Sequence, residues 1–289
     1  MYKTVSGLFA GRASLAAMAI LFSTHSEIVL AADAIAVDTD ADDTGDPITP
    51  PNPTRFGRFE QKLADWHVVL GGGAIIVPKY EGSNEFKVMP VPFISATFLD
   101  TVTIDPTGAN IAVYEQGPFE LSARLGYDMG RKEDDADHLR GLGDVDMGAV
   151  VGAKAAVKFG PAEIFAQLDK TIGGSDGLEG TLGIEVTQPL SQSLMVGAAA
   201  SVVFADEKYM QAYFGVTPEQ SARSGLARYD AGAGLKRADF SISATYMLNR
   251  NWMVRGQAGV GILVGDAADS PVVVDKIQPS GMLLVGYRF

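Results

Sequence analysis

Cysteine is absent from this chain, so no disulfide can staple it and no thiolate can hold a metal or attack a substrate. Histidine is scarce, with only His25, His67 and His138 available for acid–base chemistry. No segment reaches the ~18 consecutive apolar residues of a membrane-spanning helix. The longest candidate, Leu194 to Phe204, is diluted by Gly197, Ser201 and several alanines. A basic excess is missing too. The formal net charge is −12, which argues against nucleic acid as a partner because phosphate binding needs a basic footprint. Yet 47% of the residues are hydrophobic and 33 are glycine. A chain that is apolar on average but lacks a continuous apolar run fits alternating strands.

The N-terminus has the pattern of a secretory signal. Lys3 and Arg12 supply positive charge, Ala13 to Phe22 is a short apolar run, and Val29-Leu30-Ala31 and Ala34-Ile35-Ala36 are small-residue cleavage sites. A spanning anchor needs ~20 apolar residues, more than this run supplies. Asp38, Asp40, Asp42, Asp43 and Asp46 then precede Pro47, Pro50, Pro51 and Pro53, a composition that reads as a solvated linker. The expected organisation is a signal peptide over 1–36, an acidic leader over 37–58 and a β-barrel over 59–289.

From Trp66 onward the chain alternates. Phe119, Leu121, Ala123, Leu125 and Tyr127 oppose Glu120, Ser122, Arg124 and Asp128, and Phe240, Ile242, Ala244 and Tyr246 oppose Ser241, Ser243 and Thr245. Runs of roughly 9–13 residues suit strands that cross a bilayer at a tilt. Ordinary globular strands are about half as long. Twelve strands are expected near 66–77, 86–94, 96–105, 109–114, 118–128, 144–158, 162–172, 179–188, 194–205, 237–248, 252–264 and 280–289. Pro90 and Pro92 weaken the second, because proline cannot donate to a ladder. Short turns alternate with long polar loops at 131–143, 206–236 and 266–279, the arrangement of an outer-membrane barrel with its long loops outside.

The final segment, Gly281 to Phe289, places Leu283, Val285, Tyr287 and Phe289 on one face and stops on the aromatic. That ending resembles the terminal strand of Gram-negative outer-membrane barrels and marks Tyr287 and Phe289 as a candidate assembly signal. Trp66, Phe98, Tyr114, Phe119, Phe159, Phe204, Tyr246 and Trp252 fall near strand ends, as interfacial girdles do. Alternation alone does not say which face is outside. Signal, strand length, girdle and terminal Phe together favour lipid outside.

Several stretches are more particular than generic strand or loop. Gly71-Gly-Gly73 is followed by Pro78, Tyr80, Glu81 and Gly82. Gly130 and Arg131 precede Gly141, Leu142, Gly143 and Asp144. Then come Tyr209 and Met210, Phe214 and Gly215, Ser224 and Gly225, Tyr229, and lastly Asp266, Ser270 and Pro271. In this order the set resembles the MipA/OmpV family over roughly Trp66 to Phe289. The resemblance implies a monomeric outer-membrane barrel without accepted catalytic residues. It also implies a scaffold linking a lytic transglycosylase to a bifunctional penicillin-binding protein, or an adhesin or antigen. The implied surroundings are outer-membrane lipid, lipopolysaccharide and the barrel assembly machinery. Loop architecture explains the motif residues at least as well as binding does.

Local chemistry is thin. Gly173-Gly-Ser-Asp-Gly177 matches the G-x-S-x-G nucleophile elbow, but it links two amphipathic strands and no His stands near it in sequence. Glu133, Asp134, Asp135, Asp137 and His138 offer oxygen ligands without the spacing of a known cation loop. No enzyme and no cofactor is expected. Glu120, Arg124, Asp146, Lys154, Glu163, Asp169, Glu185, Arg255 and Arg288 fall on the polar faces, with both signs nearly balanced. A selective pore favours rings of one sign, so a lumen cross-linked by ion pairs is expected, narrow or plugged. A narrow passive channel is the rival reading.

Burying an aromatic side chain is worth roughly 1.5–3 kcal/mol, too little to unfold a closed barrel when lost. Phe289→Asp should therefore refold almost normally in detergent yet insert poorly in cells, both read as heat-modifiable gel mobility. Normal insertion in cells would remove the assembly-signal role.

Overall fold

The computed structural model describes residues 66–98 and 101–289. The expected signal peptide and acidic leader lie outside the described residues. Twelve antiparallel strands form a closed barrel in sequence order. They are β1 (Trp66–Pro78), β2 (Phe86–Phe98), β3 (Val102–Asp105), β4 (Gly108–Gln116), β5 (Phe119–Asp128), β6 (Gly148–Phe159), β7 (Ala162–Ile172), β8 (Leu178–Pro189), β9 (Leu194–Ala205), β10 (Gly234–Met247), β11 (Trp252–Leu263) and β12 (Ile277–Arg288).

The period-2 pattern explains the wall. On β5, Leu121 and Leu125 point outward and are exposed, while Ser122 and Arg124 between them point inward. On β12, Leu283 and Val285 face outward, whereas Met282 and Leu284 are buried inside. Large apolar side chains left outside on strand after strand identify hydrocarbon as the solvent of that surface. No described helix is long and apolar enough to cross a membrane, so the strands make the crossing.

Closure rests on the first and last strands. β1 pairs with β12 from Val69↔Arg288 to Ile76↔Gly281. Phe289 extends the seam by donating its N–H to the Val68 carbonyl, 3.0 Å away. Trp252, Tyr287 and Phe289 stack edge-to-face, with centroids 5.1 and 4.9 Å apart. Glycine is required here. A Cβ on Gly71 would lie 2.3 Å from the Val285 carbonyl oxygen, and one on Gly73 would lie 2.0 Å from that of Leu283.

Three expectations need correction. β2 runs unbroken through both prolines to Phe98, and β3 is only four residues, instead of a break near residue 95 and a strand over 96–105. Among the described strands β2 pairs with β3 only through Ala96, Thr97 and Phe98, so Pro90 and Pro92 interrupt no β2–β3 ladder bond. β6 begins at Gly148 rather than at 144, because Arg131↔Val145 is an isolated bridge inside the preceding loop. Lys236, expected in a loop, belongs to β10.

Gly73→Val should leave a chain that cannot bring β1 onto β12. The folded, heat-modifiable form should be lost, while Gly72→Val, whose Cβ has its nearest neighbour 3.7 Å away, should keep it.

Candidate functional site

The connections differ sharply between the two ends of the barrel. Residues 117–118, 160–161, 190–193 and 248–251 are tight turns at one end, while residues 79–85, 129–147, 206–233 and 264–276 gather at the other. These four loops fold into one cap, and most of the motif residues meet in it.

The centre of the cap is α1 (Glu207–Phe214), started by the Asp206 side chain accepting from the Tyr209 N–H. Its spacing buries Tyr209, Met210, Tyr213 and Phe214 in a cluster with Val145, Leu263 and Ala267. α2 (Pro218–Ser224) follows, with Thr217 and Gln220 as a reciprocal capping box and Gly225 closing the helix in the left-handed region. A short α3 (Gly265–Asp269) buries Ala267 and Ala268.

Hydrogen bonds from separate loops converge on this helix. The Tyr213 hydroxyl donates to both oxygens of Asp128 at the top of β5, at 2.9 and 2.8 Å. Arg131, 4% exposed, donates to the Tyr213 carbonyl at 2.7 Å. The Ser270 hydroxyl donates to the Phe214 carbonyl at 2.5 Å. Tyr80 donates to the Val272 carbonyl at 3.2 Å, and Gly82 N–H to Gln278. Tyr229 donates to the Asp266 carbonyl, whose carboxylate accepts from Gly232. The cap therefore bonds to itself.

The acidic stretch of the 129–147 loop serves the same purpose. The Glu133 carboxylate accepts from the N–H groups of Gly141 and Gly143, and Asp144 accepts from the Glu133 N–H. Asp135 accepts from the Lys132 N–H, Asp137 pairs with Arg140, and His138 bonds to the Pro271 carbonyl. Gly141 needs its positive φ of 87°, and a Cβ there would lie 2.8 Å from the Arg223–Ser224 backbone. Among the described residues no three His, Cys, Asp or Glu side chains gather as for a metal ion. Gly173–Gly177 joins strand to strand, and the Ser175 hydroxyl accepts from the Gly177 N–H rather than opening a helix.

Beneath the cap lies a charged throat to which the motif residues contribute Glu81 and Tyr209. The β10 ladder shifts register between Leu235 and Arg237, so the alternation breaks and both Lys236 and Arg237 turn inward. Lys236 is 1% exposed. Its ammonium meets Glu179 at 2.6 Å, Glu81 at 3.3 Å and the Tyr209 hydroxyl at 3.0 Å, and it sits 4.1 Å above the Tyr209 ring. Arg237 pairs with Glu81 and Asp239. The broken alternation at Leu235-Lys236-Arg237 is the sequence signal for this cluster, but its carboxylate partners are far away in the chain.

Burial shifts the ionisations of the cap. It pushes Tyr80 up to about 12 despite nearby Arg131, and it raises Tyr209 and Tyr213 as well. Burial also works to raise Glu81, but Lys236 and Arg237 outweigh it and hold the carboxyl below its ordinary value.

Further down, the lumen divides. Arg124 pairs with Asp169 at 2.6 Å, Lys154 with Glu163 at 2.5 Å and Lys158 with Glu120 at 2.9 Å, while Arg255 reaches Thr245. Glu185 is buried on the same inner face. Arg288 lies at the turn end, against the Arg250 carbonyl. Asp146 is a correction: it precedes β6, its side chain is 84% exposed, and it pairs with Lys132 in the cap. Opposite this charged side, Ile75, Val77, Met89, Val91, Met282 and Leu284 form an apolar cluster on the inner face of β1, β2 and β12.

Residues 70–289 match the family described as MltA-interacting protein MipA. The chain belongs to the MipA family. It is 25% identical over 223 residues to YiaT of Escherichia coli (strain K12), provisionally described as an outer membrane protein. That match covers 75% of this chain and 89% of YiaT. The Escherichia coli O157:H7 counterpart is 26% identical over 224 residues, at the same coverage. Among solved structures, the NanC porin is aligned over 77% of this chain and 100% of its own at 8% identity, with a TM-score of 0.41. An outer membrane channel from Pseudomonas putida F1 covers 78% of this chain and 94% of its own at 10% identity, with a TM-score of 0.38. This MipA-family member is an outer-membrane β-barrel.

Because the folded-state value of Glu81 is depressed, its contribution holds above the ordinary carboxyl value of 4.5 and fades as pH falls through the lower folded value. Glu81→Gln weakens two charge-assisted contacts, to Lys236 and Arg237, each worth roughly 1.5–3 kcal/mol. Limited proteolysis of the 206–233 loop should speed up at neutral pH in this variant. Acidification below 4.5 should accelerate the wild type more than the variant.

Proposed function

We propose that this chain is a non-conducting interaction protein of the cell envelope, a platform rather than a pore. The observation that carries the reading is the cap. α1 is bonded to β5 through Tyr213 and to the β8–β10 side through Tyr209 and Lys236, so it spans the mouth. Paired charges of both signs on the lumen wall support the same conclusion, since they leave no ring of one sign to draw ions through.

The family description names MltA as the interacting protein, and the resemblance supplies the partner classes, a lytic transglycosylase and a bifunctional penicillin-binding protein. With the long loops outside, such partners meet the opposite rim, formed by the tight turns and the acidic leader. Interaction at that rim is compatible with short turns if the leader carries most of the contact.

Planar bilayers decide between platform and channel. The wild type should show no steady conductance, whereas replacing residues 208–231 with a short linker should produce steps. Large, reproducible steps from the wild type would sink the platform reading. Cross-linking in intact envelopes should recover a lytic transglycosylase, with recovery falling when residues 37–58 are deleted.

A further inference from the structure

One side chain of the lumen wall differs from the rest. Gln257 on β11 is 6% exposed, and neither its carbonyl oxygen nor its amide nitrogen has a hydrogen-bond partner. Arg124, Arg131, Asp169 and Asp239 also carry a buried atom without a partner, but each bonds through another atom of the same group. Among the described residues, Gln257 alone has its whole polar group unbonded. A buried donor or acceptor left unmade is costly, so an amide in this state points to a group that the wall itself does not supply.

Two residues away on the same inner face stands Arg255. Its guanidinium donates to the Thr245 hydroxyl over a long 3.4 Å, and among the described residues it forms no ion pair. The other inward cations from β5 to β11 all meet carboxylates, as Lys154 does Glu163 and Lys236 does Glu179. A guanidinium on a partly buried wall without a counter-charge calls for an anion.

The wall beside the pair is shallow. Gln257 is flanked on β10 by Ser243 and then on β9 by Gly197, and the next inward row runs Gly259, Ser241, Ala199. From β9 to β11 no side chain in these two rows except Gln257 is larger than serine. The unbonded amide therefore stands within a stripe that leaves room above the sheet.

These features together describe a ligand. The planar fork of Arg255 suits a carboxylate. The Gln257 amide needs an acceptor for its N–H and a donor for its carbonyl, and a second amide offers both. Residues two apart on a strand stand about 7 Å from one another, so both side chains can reach one small molecule. We propose that the inner face of β11 binds a small solute carrying a carboxylate next to an amide, an N-acylated amino acid, with Arg255 on the carboxylate and Gln257 on the amide. Both residues lie in the half of β11 that adjoins the tight turn at 248–251, apart from the cap on which the platform reading rests.

The test is ligand-observed NMR titration of the full-length protein in detergent micelles with three probes. N-acetylglycine carries both groups, acetate only the carboxylate, and N-acetylglycinamide only amides. N-acetylglycine should bind saturably, and each partial probe should bind about tenfold more weakly or worse, the scale of one lost charge-assisted hydrogen bond. Gln257→Leu and Arg255→Met should each weaken N-acetylglycine by a similar factor while keeping heat-modifiable gel mobility. If a variant does not fold, the comparison of the three probes on the wild type decides. Absence of saturable N-acetylglycine binding would leave the amide to ordered water and overturn the proposal. Equal binding of acetate, or unchanged affinity in either folded variant, would overturn it too. The readout uses neither conductance nor partner recovery, so its failure is distinct from failure of the platform reading.

Discussion

Everything in this molecule depends on β1 reaching β12. In hydrocarbon no water is present to satisfy an N–H or C=O, so a sheet is stable there only if it closes on itself. The closure is achieved by letting two backbones approach more closely than side chains permit. Gly71 and Gly73 make that possible, and the aromatic trio of Trp252, Tyr287 and Phe289 stacks at the base of the same seam. Among the described strands, β3 meets β2 only at Ala96, Thr97 and Phe98.

A closed wall creates an interior, and the interior is filled by two different means. On the β5–β7 side, inward charges neutralise one another across strands one or two apart, as Lys154 does with Glu163 and Arg124 with Asp169. On the β12–β1–β2 side, aliphatic and thioether side chains pack together. The mouth is handled differently again, by helices and turns whose polar groups are spent on one another. A barrel so filled gains rigidity.

Much of this was legible in sequence, for a stated physical reason. Period-2 alternation is a local property, so the long strands and their number could be read directly, while the outward direction of the apolar face needed the strand length, the aromatic girdle and the terminal Phe as well. The terminal strand was legible in the same way. Prolines misled, because their effect depends on whether a neighbouring strand is present, which the local sequence does not contain. Asp146 misled because the alternating pattern continues past the true start of β6. The throat was hardly legible at all. Lys236 meets Glu81 across 155 positions and Glu179 across 57, and the bulge that turns two consecutive cations inward looks in sequence like a frayed strand end.

The wiring of the cap also fixes the order in which the molecule can be completed. Tyr213 reaches back 85 positions to Asp128, Ser270 reaches back 56 to Phe214, and Tyr80 reaches forward 192 to Val272. None of these contacts can form until the strands that carry their loops stand side by side, and such distant contacts form late because chain entropy must be lost first. The cap is thus the last part to become native. During insertion the barrel passes through a stage with an intact wall and an unsealed mouth. The covering of the mouth is therefore acquired by the final locking of a small folded cap on top of the wall.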